Sequence, residues 1–131
     1  MQITLEADYA VRIVELLAEC GVKTDAHTIS DKTKVPVRFA LKILRKLVGE
    51  GIVKSYKGVK GGYMLNREPK DITLRHVIEA VEGPFRMSRC LQEEYTCDHK
   101  CCRFHHIYDE VSLMVRNKLD EYTFAEAVKA D

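Results

Sequence analysis

The chain is predicted to be mainly α-helical with one small β-hairpin, and three observations on its 131 residues carry that expectation. Apolar side chains recur at intervals of three and four through residues 8–20, 37–47 and 105–122. One glycine-rich stretch, Tyr56 to Gly62, separates two short apolar runs. Positive charge is concentrated between these patterns: residues 32–60 hold nine basic side chains and one acidic, whereas residues 1–31 hold two and six. The net charge of +1 therefore conceals a segment of +8, an electrostatic footprint for a polyanion.

The first helix is expected over residues 8–20, where Tyr9, Ile13, Leu16, Leu17 and Cys20 share a face and Gly21 is a stop signal. A second, short helix over His27 to Thr33 would carry Ile29 inward, and Pro36 would open a third in the first-turn position that proline tolerates. Two short helices joined by three or four residues outline a helix-turn-helix. In the third helix Phe39, Ile43, Leu44 and Leu47 form the expected buried stripe, leaving Arg38, Lys42, Arg45 and Lys46 on the outer surface. A recognition helix needs that division, because its outer side meets phosphates and base edges while its inner side is pinned to the scaffold.

Gly49 and Gly51 end the third helix; Ile52 to Ser55 and Tyr63 to Leu65 read as two strands. Their connection is tipped by Lys57 and Lys60, which makes the hairpin a basic wing. A nucleotide-binding reading of the loop fails because no buried strand precedes it and no Walker lysine and hydroxyl follow it. The fold expected is thus a winged helix-turn-helix plus a long dimerisation helix. Double-stranded DNA is the expected partner, with Thr28, Arg38, Phe39, Lys42, Arg45, Lys57, Lys60 and Gly61 as candidate contacts.

Cys90, Cys97, Cys101 and Cys102, with His99, His105 and His106, crowd into seventeen residues. Thiolates and imidazoles at that density suit zinc or an iron–sulfur cluster better than a packed core. Five cysteines in all, an odd number with two adjacent, make a poor disulfide framework and point to a reducing compartment. Cys20 is expected to be a core thiol, and His27, His76 and His99 to be surface or capping residues. From His105 to Tyr122, Ile107, Tyr108, Val111, Met114, Val115 and Leu119 line one face of a helix long enough to cross a second copy of the chain. Thr123 and Glu126 then carry a capping-box signature for a short last helix. Neither a membrane span nor a signal peptide is present, so a cytoplasmic protein is expected. The divisions follow: 1–83 as the DNA-binding domain, 84–104 as the cysteine-rich loop, and 105–131 as the dimerisation helix and C-terminal helix.

The sequence resembles the Rrf2 family of winged-helix regulators, of the IscR, NsrR, RirA and CymR type, over essentially its whole length. The carriers are Ile3-Thr4 with Asp8-Tyr9-Ala10-Val11-Arg12, the run Val37 to Leu47, Gly51 to Ser55, Lys57-Gly58 with Gly61-Gly62-Tyr63, and Ile72-Thr73-Leu74 with Val77 to Gly83. In the last of these Thr73 reads as an N-cap and Gly83 as a C-terminal stop.

The resemblance implies a homodimeric regulator of a two-fold DNA operator, not an enzyme, with an iron–sulfur cluster before the dimer helix, 2Fe–2S favoured and 4Fe–4S possible. It also implies the ligands: Cys90, Cys97 and Cys102 match the three cysteines, with Cys101 as an alternative third. For the fourth, the IscR type points to His105, three residues beyond Cys102, and the NsrR type to Asp8 of the partner chain. Six residues separate Cys90 from Cys97 and four separate Cys97 from Cys102, where five and five are usual in the IscR type. Zinc or free sensing thiols are the alternatives within the same fold. A small redox or electron-transfer protein would leave the +8 segment and the wing without a purpose.

Overall fold

A computed structural model describes residues 3–87, 91 and 103–128. The first helix, α1 (Leu5–Cys20), begins three residues before the expected start because Thr4 caps it, its hydroxyl accepting from the Ala7 N–H at 3.1 Å. It ends at Gly21, whose φ of 65° lets its N–H turn back to the Leu17 carbonyl. Ala7, Ala10, Ile13, Val14, Leu17 and Ala18 are buried. The small alanines let neighbouring helices approach closely, and α1 becomes the central helix of the core. Tyr9, Leu16 and Cys20 flank the buried face and are only half-buried, so Cys20 is a free thiol at the margin rather than in the core.

Asp25 caps α2 (Ala26–Thr33), accepting from the Thr28 N–H at 2.8 Å, and Ile29 is fully buried as expected. Lys34 at φ 63° makes the turn, and Val35 drops into the core. In α3 (Val37–Gly49) Pro36 stands at the cap, one residue before the expected first-turn position. Its buried stripe is Ala40, Ile43, Leu44 and Leu47, the i, i+3, i+4, i+7 set of a single face. Phe39 therefore lies one residue off that face and is 47% exposed, beside Tyr9 with ring centroids 6.3 Å apart. Lys46 also departs from expectation: it is half-buried, and its ammonium meets Glu6 of α1 at 2.8 Å.

The wing is an antiparallel pair, β1 (Val53–Tyr56) and β2 (Gly62–Leu65), in the register Val53↔Leu65 to Tyr56↔Gly62. Ile52 lies outside the strand and in the core, its N–H donating to the Leu47 carbonyl and its carbonyl accepting from Asn66. An unforeseen third contact steadies the hairpin: Thr24 and Tyr63 exchange two backbone hydrogen bonds of 2.9 Å. That approach explains Gly62, because a Cβ there would sit 2.9 Å from the Thr24 carbonyl oxygen.

A short 3₁₀ turn, Pro69–Asp71, leads to α4 (Leu74–Glu82), with Thr73 as its N-cap and Gly83 as its stop, as expected. His76 completes a capping box, its Nδ1 accepting from the Thr73 N–H at 3.1 Å. The long helix α5 (Arg103–Asp120) packs along α4 and gives way to α6 (Ala125–Val128), and Phe124 plugs into the core between them. The cap of α6 is looser than the sequence signature suggests, the Thr123 hydroxyl accepting from the Ala125 N–H at 3.3 Å. The expected α5 stripe splits in two. Tyr108, Val111, Val115 and Leu119 are half-buried, whereas Ile107 and Met114 are exposed together with Phe104 and Leu113.

A polar network that no periodicity announces joins α4 to α5. Glu79 accepts from Arg75 at 3.2 Å, from Arg116 at 2.9 Å and from the Phe85 N–H at 2.9 Å, while Arg75 also reaches Asp120 at 2.7 Å. Burial raises the Glu79 carboxyl, but the Phe85 N–H and the two guanidiniums outweigh it and hold its pKa below the usual carboxylate range. Hydrogen bonds from Arg75 and Thr73 likewise lower Asp120. Groups whose folded pKa is depressed stabilise the fold above their unfolded value and lose that contribution as pH falls through the folded one. Acid should therefore loosen the α4–α5 junction only as pH falls below the usual carboxylate range, where these two groups at last take up protons. Glu79→Ala, which removes a largely buried carboxylate and leaves Arg116 and the Phe85 N–H without their acceptor, should cost about 3 kcal/mol and flatten the acid limb of a denaturation profile. Wild-type stability and an unchanged profile would count against the network.

Candidate nucleic-acid interface and cysteine segment

The outer face of α3 presents Arg38, Lys42 and Arg45, all exposed and, among the described residues, without a carboxylate partner. Such a row of free cations on a helix pinned by Ile43, Leu44 and Leu47 can meet phosphates and base edges without rearranging the core. Phe39, through its exposure, joins this outer side. Thr28 is half-buried at the start of α2, and its N–H is already used by Asp25, whose carboxyl is held low by the Thr28 hydroxyl and N–H.

At the wing tip Lys57 and Lys60 are exposed, and Val59 between them is fully so. Gly61 shapes this turn, because a Cβ there would overlap the Tyr56 carbonyl oxygen. Two more lysines, Lys23 and Lys54, lean over the ring of Tyr56 at 4.8 and 5.4 Å from its centroid. Spacing along the chain could not have flagged the pairing, since Lys23 lies in the acidic first third and Lys54 in the basic segment.

Of the candidate ligands, Cys90, Cys97, Cys101 and Cys102, like His99, lie outside the described residues. His105 is half-buried in the first turn of α5, its ring 5.7 Å from that of His106. Asp8 is half-buried on α1 and pairs with Arg12 at 3.0 Å. Among the described residues no group of three or more His, Cys, Asp or Glu could hold a metal ion. The approach to the cysteine segment is firmly anchored: Phe85 donates to Glu79, and the Met87 N–H donates to the buried Ser112 hydroxyl of α5 at 2.8 Å.

The sequence profile of the Rrf2 family, described as an iron-dependent transcriptional regulator, matches residues 3–130. The chain belongs to the Rrf2 family. Rrf2 proteins are transcriptional regulators rather than enzymes, and this Rrf2 protein is a DNA-binding transcriptional regulator. It is 26% identical over 133 residues to the helix-turn-helix regulator NsrR of Bacillus subtilis, spanning 98% of this chain and 91% of that one. Solved structures that share its fold include two named regulators. CymR, the global cysteine regulator of B. subtilis, superposes with a TM-score of 0.77 at 23% identity, over 100% of this chain and 98% of that one. IscR of T. potens gives 0.73 at 22% identity, over 98% and 87%. Both are winged-helix Rrf2 regulators, which places the hairpin described above as the wing. No described helix of this Rrf2 protein is long and apolar enough to cross a membrane.

Proposed function

We propose that this Rrf2 protein is a homodimeric repressor whose grip on a two-fold operator is set by an iron–sulfur cluster, bound by Cys90, Cys97, Cys102 and His105, in response to iron–sulfur, redox or nitric oxide status. The observation that carries the reading is the placement of four thiols within thirteen residues immediately ahead of α5, in a segment whose approach is bolted to α4 and α5. The donor set fits the group: thiolates from one short stretch of sequence with an imidazole from the first turn of α5 supply the soft ligands that a cluster, 2Fe–2S by preference, requires. When bound, the cluster supplies an iron centre that reacts with oxidants and nitric oxide.

The chain's own residues transmit the state of that segment. Phe85 and Met87 fix its beginning to Glu79 and Ser112, and Glu79 in turn holds Arg116 of α5. Ligation in the cysteine segment thereby biases how the winged-helix part sits on α5, which is a population shift between two arrangements. The exposed Phe104, Ile107 and Met114 of α5 offer the apolar surface for a second copy, and two-fold pairing would present two α3 helices to a two-fold site. α3 enters the major groove, and the wing contacts the flanking backbone.

The deciding experiment is an absorption spectrum of anaerobically purified protein with iron and sulfide counts. A brown or red protein with iron and sulfide in equal amounts supports the reading; a colourless protein with stoichiometric zinc overturns it in favour of a zinc-stabilised regulator. The wing makes a separate prediction. Neutralising Lys57 or Lys60 should weaken binding to all duplexes alike and reduce the salt slope by about one unit for each lysine neutralised. A changed sequence preference with an unchanged slope would contradict a phosphate role for those lysines.

A further inference from the structure

Lys23 lies in the link between α1 and α2, and Lys54 lies on β1, yet both ammoniums close on one ring, that of Tyr56. Their distances to its centroid, 4.8 and 5.4 Å, bring the two charges within about 10 Å of each other. The ring face attracts both cations but cannot neutralise them. Both lysines are exposed, and among the described residues neither has a carboxylate partner, in contrast to Lys46, Lys70, Arg75, Arg116 and Lys118. Two like charges gathered around one ring repel each other in the unbound protein, and an anion seated beside them offsets that repulsion.

The platform beneath them is rigid. Lys54 is paired with Met64 across the hairpin, and Lys23 is followed directly by Thr24, whose two 2.9 Å bonds to Tyr63 tie the link to β2. The same hairpin ends in Lys57 and Lys60, so the doublet continues the basic surface from the tip to the base of the wing. That continuity selects the occupant: a repeating polyanion that already meets the tip, rather than an isolated anion.

We propose that Lys23 and Lys54, aimed by Tyr56, form a phosphate-binding site for the DNA backbone at the base of the wing, separate from the tip. The inference rests on the assignment of the wing to DNA, and the experiment distinguishes the failure of one from the failure of the other. The two lysines carry no base specificity, because an ammonium on a flexible stem is a point charge without the fork that reads an edge.

The test is salt-titrated fluorescence anisotropy of the whole protein on two duplexes: one selected from random-sequence DNA on the wild-type protein, and one of mixed sequence. K23Q/K54Q should weaken both by a similar factor, about tenfold, and lower the slope of log affinity against log salt by about two units. Tyr56→Phe, which retains the ring, should match wild type, whereas Tyr56→Leu should weaken both duplexes. Unchanged affinity and slope in a K23Q/K54Q protein with wild-type melting behaviour overturns the proposal. So does a loss confined to the selected duplex, which would mean base contact, or unchanged DNA binding with lost binding to polyglutamate, which would mean an acidic protein partner. Lys57 and Lys60 variants that leave the slope untouched would overturn the assignment of the wing instead.

Discussion

Alanine in place of Cys90, Cys97 or Cys102 is expected to abolish or destabilise iron–sulfur binding, while Cys20→Ala retains the full complement of iron. The contrast follows from geometry: ligation requires thiolates that converge on one site, and Cys20 stands at the C-terminal end of α1, where Gly21 turns the chain into the link toward α2. Cys101→Ala is the control for the third ligand, since it neighbours Cys102 and lies four residues from His105. The fourth position is decided by a pair of variants. With His105 as ligand, His105→Cys keeps a cluster with an altered spectrum and potential, and Asp8→Ala is nearly silent. With Asp8 as ligand, the results exchange. The half-exposed Asp8–Arg12 pair would cost little to break, so it does not protect Asp8 from recruitment by a partner. His105 needs no partner, because it lies in the first turn of the helix that follows Cys102 directly. Iron and sulfide analysis with visible spectroscopy reads all of these. A variant lacking both His105 and Asp8 that keeps the native spectrum would move the fourth ligand to His106 or His99.

The second large effect is expected on α3. Arg38→Ala and Lys42→Ala should each lose operator binding with the fold intact, because both side chains are exposed and the core beneath them belongs to Ala40, Ile43, Leu44 and Leu47. Arg38, in the first turn, is the better placed to read a base, and a bidentate contact with guanine is worth about 1–3 kcal/mol. Its loss should relax specificity at one position of the operator. Lys42, as a point charge, should instead lower affinity across sequences. Normal operator affinity in both variants, measured at fixed salt, would remove α3 from the interface.

Much of this molecule is legible without its structure. The helix-turn-helix can be read because Ile29, Ile43, Leu44 and Leu47 obey a helical period, and the turn because Lys34-Val35-Pro36 interrupts it. Thr73 and Gly83 mark the ends of α4 because capping is a local affair between a side chain and the next few N–H groups. Phe39 reads as part of the stripe because an aromatic ring one residue off a face has the same period as one on it; only the narrow space over α3, which takes the methyl of Ala40, separates the two.

Local order thus fixes whatever depends on neighbours a few residues away: the order of helices, the hairpin and its basic tip, the caps, the cationic outer face of α3 and the clustering of four cysteines ahead of α5. Other features arise from groups far apart in the chain and exist only once it is folded. The splitting of the α5 stripe into a face against α4 and an exposed face is of this kind, as are the Lys46–Glu6 pair, the Thr24–Tyr63 bridge, the gathering of Lys23 and Lys54 on Tyr56, and the Glu79 junction. The physical reason is common to all of them. Periodicity reports which side chains share a face, but whether a face meets a helix, a strand or solvent is set by the packing of segments that carry no record of one another in their local pattern.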